Sequence, residues 1–234
     1  MANSAPQAPT PLTLRDLTKA QGLLRLGKAL GGEHKDMANI MVMSDRYIKG
    51  EPDLESLRIG LSPGADFYDM DKNRVGLSST NPYVFGHEVG HAKDLQDRSH
   101  LYKNVVLKGS RKLNTLLNYA NLPVSTLVAS TPSLSLKTKN RLYNSLAGIS
   151  ALTAAPNILA EAQASLNAIG VRDDKWNTAA SLFPGFAAHT LKDLAPMAYP
   201  LVIKHVSQGN LSPQISNPVI YYMRNATSGH IGHV

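Results

Sequence analysis

The chain has no cysteine among its 234 residues. Disulfides and thiolate metal sites are therefore excluded, and any bound metal must be held by His, Asp or Glu. The absence does not fix a compartment, because a cysteine-free chain tolerates either redox condition. Glutamate is scarce, with only Glu33, Glu51, Glu55, Glu88 and Glu161 present. No dense Lys/Arg run with interleaved aromatics occurs, although the formal net charge is +7. Nucleic-acid binding is thus not expected, and the charge serves solubility or an anionic surface. Residues 1–11, rich in Ala, Pro, Ser and Gln, lack the basic start and apolar core of a signal peptide. They are expected to form a flexible leader. No internal repeat is present.

What the chain does have is a 43% hydrophobic composition, enough for a sizeable core. One main domain is expected over residues 12–208, with a C-terminal extension at 209–234. Leucines at helical spacing predict a helix over 12–30, stopped by Gly31-Gly32. The apolar stretch 37–43 is too short to assign. Residues 57–61 and 74–78 read as strands, bounded by Ser62-Pro63-Gly64 and Asp71-Lys72-Asn73. The second is the candidate for an edge strand that could hold an extended peptide. In the extension, the apolar run 219–223 is unassigned, and His230 and His233 are expected to be solvated. The fold class expected is α+β, mainly helical.

His87-Glu88-Val89-Gly90-His91 is an H-E-x-x-H motif. On a helix, residues four apart lie one turn apart on the same face. His87 and His91 can therefore aim two imidazoles at one Zn2+, with Glu88 placed to take a proton from a water that the metal polarises. Apolar neighbours Val84, Phe85 and Val89 predict a buried helix, where two histidines and a carboxylate need partners. A third ligand is required. Asp97 has the spacing of the metzincin pattern, but that pattern needs glycine where Asp94 stands, to turn the chain sharply. Without it the helix is expected to continue and carry Asp97 off the histidine face. Glu161 is the better candidate, being the only glutamate after Glu88. Pro156 reads as a helix start, 157–169 as the helix and Gly170 as its stop. Ser165 shares a face with Glu161.

Together these residues resemble the membrane-linked neutral zinc metallopeptidases of the YugP-like type, related to the gluzincins. The resemblance is carried by Asp66-Phe67-Tyr68-Asp69, Arg74-Val75-Gly76-Leu77-Ser78, His87-Glu88-Val89-Gly90-His91-Ala92 and Glu161-Ala162-Gln163-Ala164-Ser165. It covers about residues 55–205. It implies a zincin-like core, a small sheet before the H-E-x-x-H helix, His87, His91 and Glu161 as zinc ligands, and Glu88 as general base. Related gluzincins often have Asp where Ser165 stands.

Residues 113–136 and 142–160 hold no charge and flank the basic stretch Lys137-Thr138-Lys139-Asn140-Arg141. They read as a helical hairpin inserted in the domain at 113–160. In the resembled family this region crosses the membrane. Here Asn, Ser, Thr and Pro are frequent in it, so a soluble or surface-associated hairpin is expected, with membrane association as the alternative. A further helix is expected from Asp173-Asp174-Lys175 to about Val206. His189 and Tyr199 lie on it, and either could donate a hydrogen bond to a tetrahedral oxyanion. The sequence therefore predicts a zinc metallopeptidase acting on peptides or proteins. The alternative is a structural or interaction protein that keeps a zinc-bound gluzincin fold without proteolysis.

Overall fold

A computed structural model describes residues 12–96 and 98–209. The leader, Asp97, the 219–223 run and the two tail histidines lie outside the described residues. The fold is mainly helical with one small mixed sheet. The chain divides into two compact units, Met1–Arg98 with Ala162–Pro184, and Ser99–Glu161 with Gly185–Val234.

The first unit opens with β1 (Leu12–Thr13), and α1 spans Ala20–Leu30. The expected helix start at residue 12 is thus corrected. Leu12 pairs with Ile59 in the sheet, and the Asp16 carboxylate accepts bonds from the Thr13 N–H and hydroxyl, at 2.9 and 2.8 Å. That local turn competes with helix. Gly31 ends α1 at φ 70°, a left-handed conformation that favours glycine. Helix α2 covers His34–Gly50 and contains the unassigned 37–43 stretch.

Strands β2 (Arg58–Leu61), β3 (Phe67–Asp69) and β4 (Arg74–Leu77) complete the sheet. The order is β1-β2-β4-β3, with β2 parallel to β4 and the other pairs antiparallel. Strand β4 is thus flanked on both sides. It is not the edge strand expected, and Val75 and Leu77 are buried. The edge near the next helix belongs to β3. Asp66 ties the two strands together, accepting from the Ser78 N–H at 2.6 Å and the Ser78 hydroxyl at 2.9 Å.

Helix α3 (Pro82–Gln96) comes directly after the sheet. Asn81 starts it, its carboxamide oxygen accepting from the Tyr83 N–H at 2.9 Å, with Pro82 at the first helical position. The helix runs on through Asp94, which pairs with Arg98 at 3.0 Å, so no sharp turn occurs there. Leu17, Leu26, Ile40, Tyr47, Ile59, Val75, Phe85 and Val89 belong to one buried core.

Helix α4 (Lys108–Ser130) lies in the second unit, after a π-helical stretch at Tyr102–Leu107. Helix α5 (Leu136–Gly170) comes next, and the division between the units falls within it. Two expectations need correction. Pro156 lies inside α5 and does not start it, and Lys137, Lys139 and Arg141 belong to its first turns. The chain reverses earlier, where Ser135 receives the Thr138 N–H at 3.2 Å. Helix α6 spans Lys175–Ser207, close to expectation. The second unit buries polar side chains, among them Asn121 and Ser150, beside apolar ones such as Val128, Tyr143 and Ala154. Asn121 donates to the Ser150 hydroxyl at 2.7 Å and the Pro196 carbonyl at 2.6 Å. That carbonyl lacks its helical donor because the residue four on is Pro200.

Candidate metal centre

Two pairs of small residues bring α3 against the last part of α5. A Cβ on Gly90 would sit 2.4 Å from the Ala164 carbonyl oxygen, so only glycine fits there. One turn earlier, a Cβ on Gly86 would meet Met43 at 2.2 Å and Ala168 at 3.4 Å. Gly86 and Gly90 on α3 thus face Ala164 and Ala168 on α5, each pair four apart. Asn167 donates to the Gly90 carbonyl at 3.0 Å, and the Tyr47 hydroxyl donates to the Gly86 carbonyl at 2.7 Å. Burial pushes the Tyr47 phenol well above its ordinary range, which keeps it a donor.

This close approach sets the chemistry-bearing side chains. His87, His91 and Glu161 each offer a ligand atom, and these atoms all lie within 4.8 Å of one another. The two imidazoles meet edge to face, with centroids 4.7 Å apart and an interplanar angle of 82°. Ser165 Oγ lies 3.2 Å from His87 Nδ1. Glu88 and His91 are buried, at 9% and 7% exposure, and His87 and Glu161 are half-buried. The sequence-predicted ligands therefore converge. Tetrahedral zinc with bonds of about 2.1 Å separates its ligands by about 3.4 Å, within side-chain adjustment of this cluster. Two imidazole nitrogens and a carboxylate are a donor set that suits zinc, and three protein ligands leave a fourth position.

His189 is exposed on α6, while Tyr199 on the same helix is buried at 2% exposure. Neither belongs to the converging group. Asp193, one turn after His189, is a carboxylate that sequence reasoning did not single out. Burial first, and the charge of Glu161 second, hold its carboxyl above the usual range. Asn114 donates to its Oδ1 at 3.1 Å. Asn167 and Tyr47, which fix the α3 carbonyls, were also missed. The signal that could have found the contact was the four-residue spacing of Gly86/Gly90 and of Ala164/Ala168.

Compared with protein-family models, curated proteins and solved structures, the chain matches none.

Proposed function

We propose that this protein is a zinc-dependent metallopeptidase of the gluzincin kind, with His87, His91 and Glu161 as ligands and Glu88 as general base. The observation that carries the reading is the convergence of two α3 imidazoles with the single glutamate downstream of Glu88. The buried Glu88 adjacent to His87 supports catalysis over a purely structural role, since a structural metal has no use for that carboxylate.

When bound, zinc would polarise a substrate carbonyl and lower the pKa of water at its open position. The chain's own residues supply the rest. Glu88 takes the proton of the attacking water and passes it to the leaving amine. Ser165 holds the His87 ring through Nδ1, so that Nε2 is the ligating nitrogen. Strand β3, packed against α3 at the sheet edge, replaces β4 as the strand that aligns an extended substrate by backbone hydrogen bonds. His189 is kept as the oxyanion donor; its exposure leaves the imidazole able to meet substrate. Replacing it with Gln should lower kcat with KM unchanged, and an unaltered kcat removes it from the mechanism.

The deciding experiment measures bound metal in wild type and in Glu161→Ala, together with turnover of mixed peptides with and without chelator. About one zinc per chain, lost in the variant, and chelator-sensitive cleavage are expected. Zinc binding without any cleavage would favour the structural alternative.

A further inference from the structure

We propose that the second unit binds a monovalent cation, Na+ or K+, among buried side-chain oxygens of α4, α5 and α6, with Asp193 as its counter-charge. The proposal goes beyond the peptidase reading and does not depend on it.

The oxygens follow helical spacing. On α4, Asn114, Asn118, Asn121 and Ser125 recur at intervals of four, three and four residues and share a face. On α5, Ser150, Thr153 and Asn157 recur at three and four. Hydrogen bonds hold the three helices together on these faces. Asn121 ties α4 to Ser150 on α5 and to the Pro196 carbonyl on α6. Asn114 donates to Asp193 Oδ1 at 3.1 Å, and the Thr153 hydroxyl lies 3.5 Å from Asn114 Oδ1. Asn118 stands on α4 between these two ties, about one turn from each.

The polar groups here are short of donors. Asn118 Oδ1, Asn121 Oδ1, Asn157 Oδ1, Ser125 Oγ and Thr190 Oγ1 are buried with no hydrogen-bond partner among the described residues, and every one is an oxygen. Asn121 and Ser125 are fully buried, and Asn157 is 4% exposed. The Asn121 carboxamide cannot be turned over. The Pro196 carbonyl only accepts, so the amide nitrogen must face it and Oδ1 must point elsewhere. Buried oxygens left unsatisfied are costly, so a positive partner is called for.

Asp193 decides what that partner is. Its carboxylate forms no ion pair among the described residues. His189, Lys192 and Arg111 reach it without offsetting burial and the charge of Glu161. Water would satisfy the oxygens but leave this charge uncompensated. A cation does both. One carboxylate with neutral carboxamide and hydroxyl oxygens suits a single positive charge. Ca2+ draws its affinity from a higher count of charged ligands, and Mg2+ keeps several waters in strict octahedral geometry. No imidazole is among the orphaned groups, which disfavours zinc.

The test is thermal melting of the full chain in NaCl, KCl or choline chloride at equal ionic strength. The midpoint should rise saturably with Na+ or K+, by about 3–6 °C at ten times the dissociation constant, and stay flat in choline. Asp193→Asn keeps the shape and removes the charge, so its midpoint should no longer respond to Na+ or K+. If that variant does not fold, wild-type crystals soaked in thallium(I) acetate carry the test. One anomalous peak is expected beside Asp193 and the orphaned carboxamide oxygens. Equal midpoints in all three salts overturn the proposal, as does a response that Asp193→Asn retains. Density among these oxygens without anomalous signal also overturns it and assigns them to water.

Discussion

Ser165 Oγ lies 3.2 Å from His87 Nδ1, one helical turn beyond Glu161 on the same helix. A hydroxyl in this place can accept an imidazole N–H and hold the ring, although more weakly than a carboxylate. Ser165→Ala is expected to reduce zinc affinity about 10- to 100-fold, read by competition with a chromophoric chelator. Ser165→Asp should bind zinc more tightly than wild type. Equal affinities in all three proteins would make the contact mere packing.

Glu88→Gln removes the proposed base while keeping size and polarity. Hydrolysis should fall by about 10²- to 10⁴-fold, the span of general-base contributions, with zinc content unchanged. Full turnover in this variant would refute the assignment. His91→Ala, by contrast, should lose the metal, and unaltered metal stoichiometry would remove His91 from the ligand set.

Gly90→Ala inserts a Cβ against the Ala164 backbone, which cannot rotate away as a side chain would. Overpacking of this kind costs about 1–3 kcal/mol. Urea denaturation of the metal-free protein should show that loss. Zinc affinity should fall in parallel, since the same contact sets the position of the α5 segment just beyond Glu161. A variant as stable as wild type, with full affinity, would contradict the close approach.

Arg172 is buried and makes a two-point ion pair with Asp174, at 2.6 and 2.8 Å, while its guanidinium lies 4.6 Å from the Tyr83 ring centre. The Arg172 bond chiefly holds the Asp174 carboxyl at about 2, below its ordinary 3.8. A carboxyl lowered in the folded state stabilises above its unfolded pKa, and the contribution fades as pH falls toward the folded value. Denaturation midpoints should therefore drop between about pH 4 and pH 2. Asp174→Asn should be less stable at neutral pH and show a shallower drop. Parallel pH profiles for the two proteins would exclude the pair as a source of acid sensitivity.

The three converging residues were readable because their signals are local or unique. His87 and His91 are one turn apart, and Glu161 has no competing glutamate downstream. The packing that unites them depends on Gly90 meeting Ala164, far along the chain, and no local pattern encodes such a meeting. Sheet order was hidden for the same reason. Strand β2 pairs in parallel with β4, past β3, so the strand next to the motif became internal and the edge passed to Phe67–Asp69. Pro156 misled because a proline's fixed φ suits a first turn, while the long α5 accommodates it inside. Averaged hydropathy likewise concealed the faces of α4, where Asn114 and Leu113 are neighbours in sequence but lie on opposite sides of the burial boundary.

Glu161 and Ser165 sit on one face of one unbroken helix. Each residue added to or removed from a helix rotates every downstream side chain by about 100°. A single deletion among the three residues separating them would swing the hydroxyl off the imidazole while leaving the carboxylate in register. It would also carry Asn167 away from the Gly90 carbonyl and Ala168 away from Gly86. The length of this short span is therefore as much a part of the site as the side chains at its two ends.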